Sequence, residues 1–249
     1  YPQIRSLAGI EYAVELKYLR LPLAGAIEDL KPLTTLAGLD SLVATGQEWV
    51  PLDLIAQMRH LRYLDLTDNN LGEIGPLVDA QELEFLSLEH NAIEDLSPLA
   101  RLTELQQLNL MHNNLKGVAA LKDLVKVEKL WLAGNHLHDI APLRRLVNLT
   151  HLHLADNKIH DINALRNMRN LVFIDLSNNE LTEFPQIKIK SLETFKLAHN
   201  QLETLNVGML NEVVHLDLSH NQLTSLEGMG ALRRVDQLLL QGNRLKDLS

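Results

Sequence analysis

The sequence predicts an α/β solenoid, a chain that coils repeatedly on itself with one short strand and one short 3₁₀ or helical turn in each coil. Three observations carry this reading. A leucine phrase returns at a nearly constant interval along almost the whole chain. Its middle alternates apolar and polar residues, the two-residue period of a strand with one buried face. Its second half spaces apolar residues three apart, which suits a tight helical turn.

The phrase is L-x-x-L-x-L-x-x-N-x-L, and its copies begin at Leu16, Leu39, Leu61, Leu83, Leu105, Val127, Leu149, Leu171, Leu192, Val213 and Val235. Successive copies lie 21 to 23 residues apart, and most lie 22 apart. Residues 1–15 read as a leading half-repeat. No Gly/Ser-rich or Pro-rich linker interrupts the series, so a single domain over 1–249 is expected.

In each strand the leucines should point inward and their neighbours outward. Leu64 and Leu66 are expected in the core, with Tyr63, Asp65 and Thr67 outside. An asparagine then recurs at Asn69, Asn91, Asn113, Asn135, Asn157, Asn179, Asn200, Asn221 and Asn243. Its amide offers donors and an acceptor to backbone groups stranded at a bend, and one per coil forms a buried polar ladder. Ala24 and Gln47 replace it in the first two repeats, where the ladder should weaken. The second half reads I-x-D-[LI]-x-P-L-x-x-L, as at 93–102 and 137–146. Pro76, Pro98 and Pro142 share one position, with Ser97 expected to cap the turn before Pro98. The eighth and ninth repeats are a residue short, so irregular turns are expected around Pro185–Ile187 and Leu205–Gly208.

These residues resemble the leucine-rich repeat superfamily. The 22-residue period and the segment DLSPLARLTEL (95–105) place the chain near its internalin-like and SDS22-like class. The resemblance implies a right-handed superhelix with a concave parallel β-sheet and short convex turns. It also implies a module that binds a protein partner on the concave face. The internalin-like side suggests an extracellular or cell-surface recognition protein. The SDS22-like alternative is a cytoplasmic regulatory subunit of a phosphatase, and a structural spacer or assembly domain is a third reading.

Composition narrows the chemistry. There are no cysteines, which excludes disulfides, thiolate zinc and iron–sulfur sites, and cysteine nucleophiles. A net charge of −9 argues against a general nucleic-acid surface. No apolar run approaches the roughly 18 residues of a membrane span. No signal peptide is visible, and the first residue is Tyr1, which suggests a processed chain or an excised domain. The eleventh repeat stops after its strand, so a continuing chain or an end-to-end contact is expected there. No nucleophile, phosphate-binding, metalloprotease or dinucleotide motif occurs, so neither enzymatic activity nor a cofactor is expected.

The informative positions are the two outward columns, two and four residues after the start of each repeat. They hold five of the ten aromatics, Tyr18, Tyr63, Phe85, Trp131 and Phe173. Strand propensity accounts for part of this excess, and cross-strand packing is the bland explanation. Exposed rings gathered on one surface are also what a binding face needs. Asp175, Lys196 and Asp217 occupy neighbouring strands of the same column, as a surface ladder of opposite charges. Asp65 adds a carboxylate towards the other end. His151 and His153 share one strand, with Asp175 lateral to His153. Two imidazoles and a carboxylate are zinc-type donors, but the usual four-ligand closure is not evident from the spacing. The patch is therefore read as a polar contact surface beside Trp131, its affinity changing near pH 6 to 7, about where imidazoles titrate. The expected face is a broad trough, which favours a protein partner over a small molecule. Position six of the repeat is small in the C-terminal half but carries Glu89 and Met111 midway. His90, His112, His199 and His220 each precede a ladder asparagine, a habit of the repeat with a structural reading.

Overall fold

The computed structural model describes residues 6–21, 27, 29–46, 50–184, 187–205, 210, 212–227 and 229–246. Its contacts divide the chain into two compact units, Tyr1–Asn114 and Leu115–Ser249. Each is a stretch of the solenoid expected from the repeat.

In the first unit the strands are β1 (Tyr18–Arg20), β2 (Ser41–Val43), β3 (Tyr63–Asp65), β4 (Phe85–Ser87) and β5 (Gln107–Asn109). In the second they are β6 (Lys129–Trp131), β7 (His151–His153), β8 (Phe173–Asp175), β9 (Thr194–Lys196), β10 (His215–Asp217) and β11 (Gln237–Leu239). All are three residues long, the span of one alternation. Neighbouring strands pair in parallel with equivalent repeat positions opposite one another, as in Tyr63↔Phe85 and His153↔Asp175. That register stacks the inward leucines. Leu64, Leu86 and Leu108 in the first unit, and Leu130, Leu152 and the equivalent Ile174 in the second, are all fully buried. A leucine buried this way contributes about 1.5–3 kcal/mol, and stacked coils are what supply the cover. Val43 and Ser87 face outward yet are 5% and 4% exposed. Both are short side chains flanked by longer ones, Arg20 and Asp65 for Val43, Asp65 and Asn109 for Ser87.

Short 3₁₀ turns return the chain, among them Gly75–Asp79, Ser97–Arg101, Ala119–Asp123, Ala141–Arg145 and Asn163–Asn167, each burying one central leucine. The second repeat uses a single α-helical turn instead, α1 (Leu52–Ile55). Proline lies in the first two positions of several turns, as expected. Ser97 does not cap its turn. Its amide and hydroxyl both donate to the Asp95 carboxylate, at 2.8 and 2.6 Å. Asp139 and Asp161 receive the amides of Ala141 and Asn163 in the same way, each at 2.7 Å. The capping residue is thus the aspartate of the I-x-D segment, whose side chain reaches two residues on. The bonds from Ser97 hold the Asp95 carboxyl below its ordinary range.

The asparagine ladder is present. Asn179 is 7% exposed. Its Nδ2 donates to the carbonyls of Leu154, Leu176 and Ser177, and its Oδ1 accepts the Ile159 amide at 2.9 Å. Leu154 and Ile159 belong to the preceding coil, so each rung fastens two coils. Equivalent bonds recur at Asn113, Asn157, Asn200 and Asn221. Ala24 and Gln47 lie outside the described residues. The first rung with described bonds is Asn69, which donates to the Ala44 carbonyl at 2.8 Å.

The residue just before each rung has a left-handed backbone. Gly46, Asp68, His90, His112, Gly134, Asp156, Asn178, His199, His220 and Gly242 all have φ between 52° and 72°. Only glycine adopts this region freely, while Asn, Asp and His tolerate it best among the rest. Much of the expected irregularity at Pro185–Ile187 and Leu205–Gly208 falls outside the described residues. Among those described, no helical turn forms between Asp175 and Thr194 or between Lys196 and His215. Leu238 and Leu240 of the last repeat are half-buried, unlike Leu216 and Leu218 one coil earlier.

Two substitutions test this framework in urea unfolding. Asn179→Ala strands the buried Ile159 amide and takes one donor from each of three carbonyls that keep another, and is expected to lower stability by about 1–3 kcal/mol with an unchanged denaturant slope. Asp156→Val forces a β-branched residue to φ 56° and should cost about 1–2 kcal/mol, whereas Asp156→Asn should be neutral.

Candidate functional site

The outward columns place their rings on the open face of the sheet, as the alternation requires. In the first unit Tyr63 and Phe85 sit on adjacent strands with ring centroids 4.1 Å apart and planes 3° apart. Register explains the contact, since the two residues are direct cross-strand partners. Tyr18 is 54% exposed and separated from Tyr63 by Ser41 on β2. Partial burial and the neighbouring Asp65 push the Tyr63 phenol up from its ordinary range. Asp65 is committed to its own chain, because its Oδ1 accepts the Thr67 amide at 3.0 Å and hydroxyl at 2.7 Å.

In the second unit a longer array forms. The Trp131 indole stacks with His153 at 5.8 Å, His153 with Phe173 at 4.5 Å, and Lys196 Nζ lies 5.4 Å from the Phe173 ring. His151 flanks Phe173 at 6.0 Å and contacts the Thr150 hydroxyl at 3.0 Å. Trp131 and His153 are direct partners on β6 and β7, and the step from His153 to Phe173 on β8 is diagonal, so the two columns merge into one strip of rings that ends at Lys196 on β9. All are half-buried, while Leu130 and Leu132 beside Trp131 are fully buried on the opposite face. Trp131 therefore lies outside the leucine interior.

The charged column is only partly the ladder its spacing suggests. Lys196 Nζ lies 3.6 Å from Asp175 Oδ2. Among the described residues it makes no ion pair with Asp217, whose Oδ1 accepts the Ser219 amide and hydroxyl instead. Asp175 likewise receives the Ser177 amide at 3.0 Å. The recurring D-L-[ST] segment is the sequence signal for this, since a carboxylate can reach the amide two residues on. One oxygen of each of Asp65, Asp175 and Asp217 is thus structural.

His153 is set apart electrostatically. Burial among the rings lowers its pKa from the ordinary 6.5, and His151 and Lys196 add to this while Asp175 opposes it. It is therefore neutral at neutral pH, and its stacking with Trp131 and Phe173 is between uncharged rings. His151, His153 and Asp175 do not converge as metal donors. Among the described residues the one histidine and carboxylate group whose donor atoms converge is Glu89, His90 and His112, at the rim of the first unit. Spacing alone missed it, because it joins two successive repeats through position seven. A second feature without a sequence motif is a hollow of about 560 Å³ on the turn side, lined by Arg166, Arg169, Lys188 and Lys190. Among the described residues no helix is long and apolar enough to cross a membrane.

Comparison with known proteins places these features among relatives. A family model for paired leucine-rich repeats matches residues 59–101, 81–124 and 125–167, and a single-repeat model matches 213–232. An internalin C2 of Listeria monocytogenes is 34% identical over 70% of this chain and 77% of its own, with a TM-score of 0.67. A leucine-rich repeat protein of Leptospira interrogans is 26% identical, with coverage of 99% and 72% and a TM-score of 0.88. An internalin (inlF) of Listeria monocytogenes shares the fold at 24% identity, with coverage of 99% and 80% and a TM-score of 0.85. No curated protein matches the chain in sequence.

The depressed histidine gives a test of the strip. In an NMR titration His153 should protonate below the ordinary imidazole value of 6.5. The sign for stability follows from linkage. The unfolded imidazole takes up its proton at a higher pH than the folded one, so stability is full above about pH 6.5 and falls as pH drops through the window below it. His153→Gln should flatten that part of the pH–stability profile.

Proposed function

The chain belongs to the leucine-rich repeat superfamily, in its internalin-like class, and from that premise we propose that it is a recognition module whose sheet face grips a protein partner. Such repeats commonly serve as protein–protein interaction modules. The observation that carries the reading is the strip Trp131–His153–Phe173–Lys196. Nothing in the packing of a leucine solenoid calls for rings on its open face, and Trp is the residue most enriched at interface hot spots. The strip is held rigid by its own stacking, so little side-chain entropy is lost when a partner covers it.

The partner surface is an apolar patch with a carboxylate or carbonyl near Lys196, since Asp175 leaves part of that ammonium free for a second acceptor. In the first unit the stacked pair Tyr63 and Phe85, with exposed Tyr18 two strands from Tyr63, offers a second set of rings to the partner. Asp65, Asp175 and Asp217 contribute through their outer oxygens, and His151 through the ring nitrogen that Thr150 does not engage. The likeness to internalins supports an extracellular or cell-surface setting. The chain itself carries no catalytic activity in this reading. The SDS22-like alternative, docking onto a phosphatase in the cytoplasm, uses the same face.

The test is a Trp131→Ala, Phe173→Ala double variant against the wild-type chain. A partner identified by cross-linking to the strip should bind the variant at least thirtyfold more weakly, the loss expected when a hot spot of about 2 kcal/mol is removed. Circular dichroism and the urea midpoint should stay near the wild type. A partner that binds both forms equally overturns the proposed face and leaves the spacer reading.

A further inference from the structure

The rim of the first unit carries a group of side chains that neither the aromatic contact nor the core uses. His90 and His112 occupy the left-handed position of successive repeats, with φ of 52° and 54°. The His90 amide donates to the Met111 carbonyl at 2.9 Å, which sets the spacing of the two coils there. Their imidazoles stack with centroids 4.3 Å apart. Glu89 stands beside them. Its Oε2 accepts from Asn109 Nδ2 at 2.8 Å, and its Oε1 lies 3.6 Å from His90 Nε2. One donor atom from each of Glu89, His90 and His112 lies within 4.8 Å of the other two.

The chain contains its own control. His199 and His220 form a second stack in the same repeat positions, with centroids 4.2 Å apart and φ of 54° at each. There the preceding residues are Ala198 and Ser219, so no carboxylate stands at the position of Glu89. Stacked histidines are thus compatible with the turn alone. What distinguishes the first pair is a large acidic residue in a column otherwise mostly small, held by a neighbouring amide so that one oxygen faces an imidazole.

We propose that Glu89, His90 and His112 bind a divalent ion of the zinc type, two imidazoles and one carboxylate as ligands and water completing the shell. This donor set suits zinc and its first-row neighbours and is a poor match for calcium, which takes oxygen ligands. Zinc–nitrogen bonds of about 2.0–2.1 Å at tetrahedral angles need ligand atoms about 3.3 Å apart. The donor atoms lie within 4.8 Å of one another and both imidazoles are exposed, so rotation of those two rings is the adjustment that binding calls for. Asn109 acts from behind, fixing the carboxylate as second-layer partners of metal ligands do.

Titration with zinc chloride alone, followed by calorimetry and by histidine ring NMR, tests the site. Saturable one-to-one binding is expected, with the His90 and His112 signals moving and those of His199 and His220 unmoved. Calcium chloride should produce no change. His112→Asn keeps a residue suited to the left-handed turn, as Asn178 is at the equivalent place, so the fold should survive while binding is lost. Glu89→Gln should also abolish tight binding, and Asn109→Ala should weaken it about tenfold. Zinc that fails to saturate the chain, or that moves the second histidine pair as much as the first, overturns the proposal. So does binding that survives both His112→Asn and Glu89→Gln in chains shown by circular dichroism to be folded.

Discussion

The structure rests on the hydrogen bonds of one amide per coil. A strand of three residues has too few ladder bonds to hold itself, and the bend that follows leaves backbone groups facing the interior. The recurring asparagine answers both needs, because its amide nitrogen reaches carbonyls of its own coil and the preceding one while its oxygen takes an amide from that preceding coil. Burial strengthens these bonds and makes their loss expensive. The leucines supply the driving force for stacking, but leucine against leucine has no direction. The rungs fix which residue lies beside which, and so put Tyr63 opposite Phe85 and His153 opposite Asp175.

Much of this was legible in the residues. The period, the strand centres, the inward leucines and the rungs follow from a pattern that repeats often enough to remove ambiguity. The outward position of Trp131 followed from alternation alone. What the pattern hid were interactions two residues in range. Ser97 was expected to cap its turn, but the Asp95 carboxylate does so because it can span two residues to the amide. Asp217 was expected to pair with Lys196, but it turns to its own Ser219. For Asp217 a local bond to the backbone wins over a longer one between mobile side chains.

The face itself shows a similar division. Alternation put each ring in its column but said nothing of contacts between the two columns. The structure joins them diagonally, His153 of one to Phe173 of the other, because a large ring spans the offset between adjacent strands. That join is what makes a strip out of scattered aromatics. It also buries His153 enough to keep it uncharged, which no spacing argument could supply.

The left-handed residue before each rung has a wider meaning for what this architecture can carry. The bend there admits comfortably only glycine, asparagine, aspartate and histidine, and two of those four are titratable and able to bind metals. The same steric filter that keeps bulky groups out therefore keeps reactive ones in. Along this rim, chemical variety comes at little conformational cost, so new functions can arise by exchange among four tolerated residues while the scaffold beneath stays untouched.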